Sequence, residues 1–214
     1  MIWENRQSFF TFLITMLKPL LKILLATFTA ASLLLSGCDN TSSTAQNTST
    51  KAVSAQVSMA VIAAEAEGFA VGPAMSVRTI YVFFDAQCPH CAALWKSAEP
   101  LRSQAKFVWI PVGLINASST AQGATLLAAQ DPVSAMDEHE ASLQARRGGI
   151  SAGGNLDTKK AAVAKNTELF NRFGFASVPT IVGTHAQTGD LVTQEGALPT
   201  ASLAAFLGLQ APAK

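Results

Sequence analysis

Hydrophobic residues along the chain fall into blocks with distinct periods. Thr79 to Phe84, TIYVFF, is a continuous β-branched and aromatic run, the pattern of a strand buried on both faces. Lys106 to Val112, KFVWIPV, is a second such run, with Pro111 near its end. Between them, Cys91, Leu94, Trp95, Ala98 and Leu101 recur at i, i+3, i+4, i+7 and i+10. That spacing predicts one apolar face of a helix reaching about Ser103, its last turn weakened by Pro100. Upstream, Met59, Ile62, Ala63 and Ala66 predict a helix over 55–68, broken at Gly72-Pro73. Downstream, helices are predicted over 118–129 and 133–146, the second started by Asp131-Pro132. A glycine-rich loop, Arg147 to Asn155, leads to a helix over 158–173 that stops at Gly174. Thr180 to Gly183 and Leu191 to Gln194 read as a hairpin across HAQTGD, followed by a short helix over 201–207.

The order strand, helix, strand, helical block, hairpin, helix is an α/β arrangement with an inserted helical region. About 140 residues from Arg78 onward are enough to bury one core. No internal repeat is visible.

The amino end follows a different pattern. Lys18 and Lys22 precede the uncharged run ILLATFTAASLLLSGC, Ile23 to Cys38, and the composition then switches to DNTSSTAQNTST. A basic patch, an apolar stretch and small residues at a junction form an export-signal pattern. The run is shorter than the roughly 20 apolar residues a spanning helix needs. Leu35-Ser36-Gly37-Cys38 resembles the lipobox of bacterial lipoproteins, which implies acylation of Cys38 and cleavage before it. Asp39 resembles the signal that retains such lipoproteins in the inner membrane. A signal starting at Met16 has an ordinary basic start, so either Met1 or Met16 serves as the true start. An uncleaved anchor using both apolar stretches is the other reading. The domain reading is therefore signal peptide 1–37, flexible tether 38–54, linker helix 55–76 and catalytic domain 77–214.

Composition sharpens this picture. The chain is 49% hydrophobic and 14% charged, against a usual charged share of about 25%. That excludes a charged disordered chain and a coiled coil. Net charge is +1, and removing 1–37 takes away Arg6, Lys18, Lys22 and Glu4 to leave a net of −1. Neither value supports nucleic-acid binding. Three cysteines are too few for a disulfide-stapled scaffold.

The chemistry lies at Cys88-Pro89-His90-Cys91, between a predicted buried strand and a predicted helix. A C-x-x-C in that setting reads as a thiol redox pair. Unpaired N–H groups and the helix dipole at the helix start favour an anion, which lowers the pKa of Cys88 and makes it the reactive thiolate. Cys88 is thus predicted to be the exposed nucleophile, and Cys91, one turn deeper, the buried resolving partner. Pro89 fits a first turn because it has no N–H to lose. His90 adds positive charge beside the thiolate, and a stabilised reduced form makes a stronger oxidant. A zinc knuckle lacks its second ligand pair, a c-type haem site lacks a His at Ala92, and a structural disulfide needs no such placement. The expected cofactor is the Cys88–Cys91 disulfide itself, with no metal. Trp95 and Trp109 read as core. Asp85 reads as an active-site neighbour or a helix-entry carboxylate. Glu65 and Glu67 read as a solvated face, and His139 and His185 as surface residues.

FFDAQCPHCAALW, the Trp95 to Pro100 helix, LLAAQDPVSA and the late VPT together resemble thioredoxin-fold periplasmic disulfide enzymes, and within them the DsbC/DsbG family. The resemblance spans Thr79 to Leu207. It implies a thioredoxin fold, a cis proline at Pro179, and a Val178 backbone that pairs with bound substrate as an added strand. Two departures stand out. Family members carry a dimerisation domain of some sixty residues, whereas here only Asp39 to Ser76 precedes the catalytic part. The CPHC site and Val178 look like the oxidase DsbA, while the body looks like an isomerase. The combined expectation is a monomeric, lipid-anchored, oxidising thiol–disulfide exchanger, periplasmic and held at the inner membrane by the Asp39 signal, acting on exported cysteine-containing proteins with a membrane redox partner. The alternatives are an isomerase or reductase kept reduced by a membrane partner, and a non-enzymatic chaperone or copper-binding lipoprotein on the same fold.

Overall fold

The computed structural model describes residues 55–212. The expected signal peptide and tether, with Cys38, lie outside the described residues. The elements are α1 (Met59–Glu65), β1 (Phe69–Val71), β2 (Thr79–Asp85), α2 (Pro89–Ala98), a 3-10 turn (Glu99–Leu101), β3 (Lys106–Val112), α3 (Ala117–Ala128), α4 (Pro132–Gln144), α5 (Asp157–Arg172), β4 (Thr180–Thr184), β5 (Leu191–Glu195) and α6 (Thr200–Leu207).

The five strands form one sheet in the order β1-β3-β2-β4-β5. β2 and β3 run parallel, Thr79 opposite Lys106 through Asp85 opposite Val112. β4 is antiparallel to β2, and β5 closes the hairpin with β4. Side chains alternate across a strand, so β2 and β3 each feed two cores. Ile80, Val82, Phe84, Phe107 and Trp109 pack with Leu94 and Trp95 of α2 and Leu203 and Leu207 of α6. Phe83, Ile110, Val112 and Val182 pack on the other face with Ile62 of α1 and Leu169 and Phe170 of α5. The Trp95 and Trp109 rings meet edge to face, with centroids 4.9 Å apart. Such a pair adds about 0.5–1.5 kcal/mol beyond its buried area.

Helix starts follow their caps. Asn116 caps α3, its side chain accepting from the Ser118 N–H in a box completed by Ser119. Asp131 caps α4, accepting from the N–H groups of Val133 and Ser134 at 3.1 Å, with Pro132 in the first turn. Pro100 ends α2 at Ala98 and turns the chain into the 3-10 segment.

The linker helix over 55–76 is corrected. Its helix ends at Glu65, and Phe69–Val71 is an edge strand antiparallel to β3, with Phe69 opposite Trp109. Phe69 and Val71 are buried in the first core, which ties this stretch to the domain instead of leaving it a spacer. Glu65 and Glu67 form ion pairs to α5, with Arg172 and Lys159 respectively. The inserted region is α3, α4 and α5, which returns the chain from β3 to β4.

Candidate active site

β2 ends at Asp85, and Ala86 and Gln87 carry the chain to Cys88, the N-cap residue of α2. The Cys88 N–H donates to the Asp85 carbonyl at 3.0 Å, and the Cys91 N–H donates to the Cys88 carbonyl at 3.0 Å. This turn places both sulfurs at the start of the helix. Pro89 and His90 are exposed, and Cys91 is buried.

Cys88 is not the exposed residue the sequence pattern predicts; it is 4% exposed. Its Sγ lies 3.5 Å from the carbonyl oxygen of Val178, a residue 90 positions away that covers it. The Val178–Pro179 bond is cis. Ala176 and Ser177, just before it, donate to the Glu195 carboxylate on β5 at 3.1 and 3.0 Å, which holds this loop on the sheet.

The two thiols differ in acidity. Cys88 is lowered to about 6, mainly by hydrogen bonding from the Cys91 side chain, with the N–H groups of Cys91 and His90 and the His90 charge adding to it against the cost of burial. Burial pushes the Cys91 thiol up, and bonding to Cys88 raises it further. One sulfur is therefore a thiolate at neutral pH and the other a protonated donor to it.

Asp85 is an active-site neighbour, as one of its two readings expects: its carbonyl accepts from the Cys88 N–H at 3.0 Å, and its charge helps raise the Cys91 thiol. It is buried, and its Oδ1 accepts from the Gln87 N–H at 2.8 Å. Its Oδ2 accepts from the N–H groups of Leu114 and Ile115 at 2.7 and 3.0 Å. It joins the active-site loop to the loop after β3.

His139 is fully buried, which corrects its reading as a surface residue. Its Nε2 lies 2.6 Å from the Ala86 carbonyl, and its Nδ1 is 3.1 Å from the Ile150 N–H. A carbonyl only accepts and an N–H only donates, so His139 is neutral with the proton on Nε2. Gly149 packs against this ring: with φ +91°, a Cβ there would sit 2.5 Å from His139 Cε1. His185 is half-buried in the β4–β5 turn, where its Nδ1 faces the N–H groups of Gln187 and Thr188.

Three further side chains support the site. Gln87 bonds Gln122 of α3 and donates to the Gly148 carbonyl at 3.2 Å. Gln122 donates to the carbonyls of Gly148 and Ile150 at 2.7 and 2.9 Å. Glu140 is 1% exposed, and its Oε2 has no hydrogen-bond partner among the described residues. Burial and then the Cys88 charge raise its carboxyl to about 7. The sequence carries a signal for Glu140, as for His139: Met136, His139, Glu140 and Leu143 share one face of α4, so polar residues stand on its buried stripe. Among the described residues, no group of three or more His, Cys, Asp or Glu side chains is placed to hold a metal ion.

A five-stranded sheet with a dithiol at the start of the helix after its central strand, facing a cis proline, defines a thioredoxin-fold dithiol protein. Residues 70–211 match the family described as Thioredoxin-like domain, and the chain belongs to that family. It is DsbG-like. It is 36% identical over 143 residues to the thiol:disulfide interchange protein DsbG of Pseudomonas aeruginosa, covering 64% of this chain and 54% of that protein. It is 32% identical over 105 residues to the Escherichia coli protein of the same name, covering 48% of this chain and 42% of that protein. The chain spans about half the length of the curated relatives it matches. Among solved structures, the catalytic domain of Proteus mirabilis ScsC shares the fold, with TM-score 0.53 at 17% identity over 70% of this chain and 96% of that one.

Proposed function

We propose that this protein is a thiol–disulfide oxidoreductase that oxidises exported cysteine-containing proteins. The observation that carries this reading is the asymmetry of the pair: Cys88 lowered to about 6 at a helix start and Cys91 buried behind it. A low-pKa thiol is a good leaving group, and stabilising it favours the reduced form of the enzyme.

In the oxidising direction a substrate thiolate attacks Cys88 Sγ of the Cys88–Cys91 disulfide. The S–S bond breaks, a mixed disulfide forms, and Cys91 leaves and takes up a proton. A second substrate thiolate attacks the substrate sulfur of that mixed disulfide, and Cys88 leaves as a thiolate. The substrate loses two electrons, which rest on the Cys88/Cys91 pair until an oxidising redox partner in the membrane removes them. Pro89 and His90 form the exposed approach to the sulfur. The Val178 backbone, beside Cys88 and ahead of Pro179, is where substrate pairs as an added strand. The names of the DsbG relatives support the exchange chemistry. The lipobox-like segment supports a periplasmic protein anchored through Cys38 at the inner membrane.

The deciding experiment is the Cys88–Cys91 reduction potential by glutathione equilibration. A value near about −120 mV supports the oxidase reading, whereas one near about −270 mV assigns a reductase or isomerase kept reduced. Cys88→Ser is expected to abolish oxidation of a reduced peptide, and unchanged turnover would refute the reading. Cys38→Ser is expected to abolish incorporation of labelled palmitate.

A further inference from the structure

A recess of about 390 Å³ opens beside the sulfur pair, between α2 and α4. Gln87 and Pro89, the residues on either side of Cys88, both line it, so it is continuous with the place where a substrate sulfur must arrive. Its size falls within the roughly 300–1,000 Å³ of ordinary ligand pockets. Ala92, Ala93 and the stem of Lys96 form the α2 wall, and Leu143 stands on the α4 side.

The polar groups of that lining are engaged or hidden. The Gln87 side chain is spent on Gln122, the Gly148 carbonyl and Asn116. Lys96 Nζ lies 3.8 Å from Asp137 Oδ1, and Asp137 is outside the lining. Glu140 borders the recess but is 1% exposed, so it offers an entering group almost no surface. An entering side chain therefore meets Pro89, Ala92, Ala93 and Leu143. Pro89 and Ala93 are exposed and Leu143 is half-buried, which leaves an apolar wall to water.

We infer that this recess takes a large apolar side chain standing beside the substrate's reacting cysteine, and so directs the protein to unfolded chains. Cys88 is 4% exposed, so a substrate must press close to its sulfur, and a side chain seated next to Pro89 holds it there. Cysteine is among the residue types most often fully buried, so a cysteine awaiting its partner commonly stands among residues destined for a core. In a folded protein those neighbours are packed away. In an unfolded one they are free to enter a hydrocarbon-walled pocket.

This inference rests on the thiol–disulfide reading, and one experiment separates the two. The full chain, purified into lipid nanodiscs and oxidised, is given reduced two-cysteine peptides. They differ only in the residue beside each cysteine, which is leucine, serine or lysine, placed before the cysteine in one set and after it in the other. Peptide oxidation is followed by chromatography, and kcat/KM is compared. In one set the leucine peptide is expected to react about tenfold faster than the serine peptide, with lysine no faster than serine. Leu143→Asp, which sets a charge on the wall, and Ala93→Phe, which fills the recess from an exposed position, are each expected to bring the leucine-to-serine ratio to about one. Leu143→Met, which keeps the wall hydrocarbon, is expected to retain the preference. Any general change in Cys88 reactivity moves all the peptides by one factor and cancels in the ratio. Equal rates for leucine and serine in both sets, a lysine peptide faster than the leucine one, or a ratio that survives both Leu143→Asp and Ala93→Phe overturns the pocket and leaves the exchange reading intact. If the natural chain oxidises none of the peptides, the exchange reading falls and the pocket with it.

Discussion

His139 donates its Nε2–H to the carbonyl of Ala86 at 2.6 Å, so a helix of the inserted region holds the backbone two residues before Cys88. The same ring accepts from Ile150 and backs Gly149, joining the active-site loop to the glycine-rich loop. His139→Ala removes both partners from a buried site, with an expected cost of about 1–3 kcal/mol. At about 2–4 °C per kcal/mol for a domain of this size, the melting temperature falls measurably. The pH dependence has a definite sign. Burial holds His139 below its ordinary pKa, so the unfolded chain binds more protons below about pH 6.5. Its contribution is complete above that pH and declines as pH falls toward the lower folded value. Melting curves at pH 7.5 and 5.5 are expected to show a smaller acid loss for His139→Gln than for the natural chain; an equal loss contradicts the assignment.

Asp85 ties three backbone N–H groups on two loops, at 2.8, 2.7 and 3.0 Å. Bonds to a buried carboxylate are stronger than neutral ones. Asp85→Ala is expected to cost about 3 kcal/mol, a sum reduced because Leu114 and Ile115 are partly open to water. The sharper check is local: amide exchange at Leu114 and Ile115 should accelerate more than in the β2–β3 ladder. Uniform acceleration would mean global loosening instead.

How far the sequence discloses this molecule depends on how local each feature is. β2 and β3 show because seven consecutive residues carry each pattern, and the dithiol shows because Cys88 and Cys91 lie one turn apart. β1 is three residues long, too short for a period to appear, and it is defined by what it touches. Gly68 marks that contact: a Cβ there would stand 2.6 Å from the Trp109 carbonyl oxygen. The burial of Cys88 was illegible for the same reason, since Val178 covers it from 90 residues away. His139 and Glu140 are legible in principle as polar residues on the apolar stripe of α4, but the Ala86 carbonyl that His139 bonds is brought to it only by the fold.

Cys88 should alkylate as a thiolate. With its pKa at about 6, its rate with iodoacetamide in the reduced protein rises through that pH and levels off by about pH 7. Peptide mapping by mass spectrometry separates it from the other cysteines. Cys91 is expected to stay unmodified over the same range, because burial both shields it and keeps it protonated. A Cys88 profile still climbing at pH 8 would show an ordinary thiol.

The last prediction concerns which neighbour makes Cys88 acidic. Its largest stabilisation comes from the Cys91 thiol, followed by backbone N–H groups, and the charge of His90 comes last. The first partner is a short-range donor in a dry setting, whereas His90 is exposed and its field is weakened by water. Removing the thiol should therefore outweigh removing the charge. Cys91→Ala is expected to move the alkylation midpoint of Cys88 from about 6 most of the way toward the ordinary thiol near 8.5. His90→Ser keeps its backbone N–H and is expected to move the midpoint upward by much less. Raising the salt concentration should erase most of the His90 effect and little of the Cys91 effect. A larger shift in His90→Ser than in Cys91→Ala would reverse this order and make the dipeptide between the cysteines, not the buried partner, the source of the thiolate.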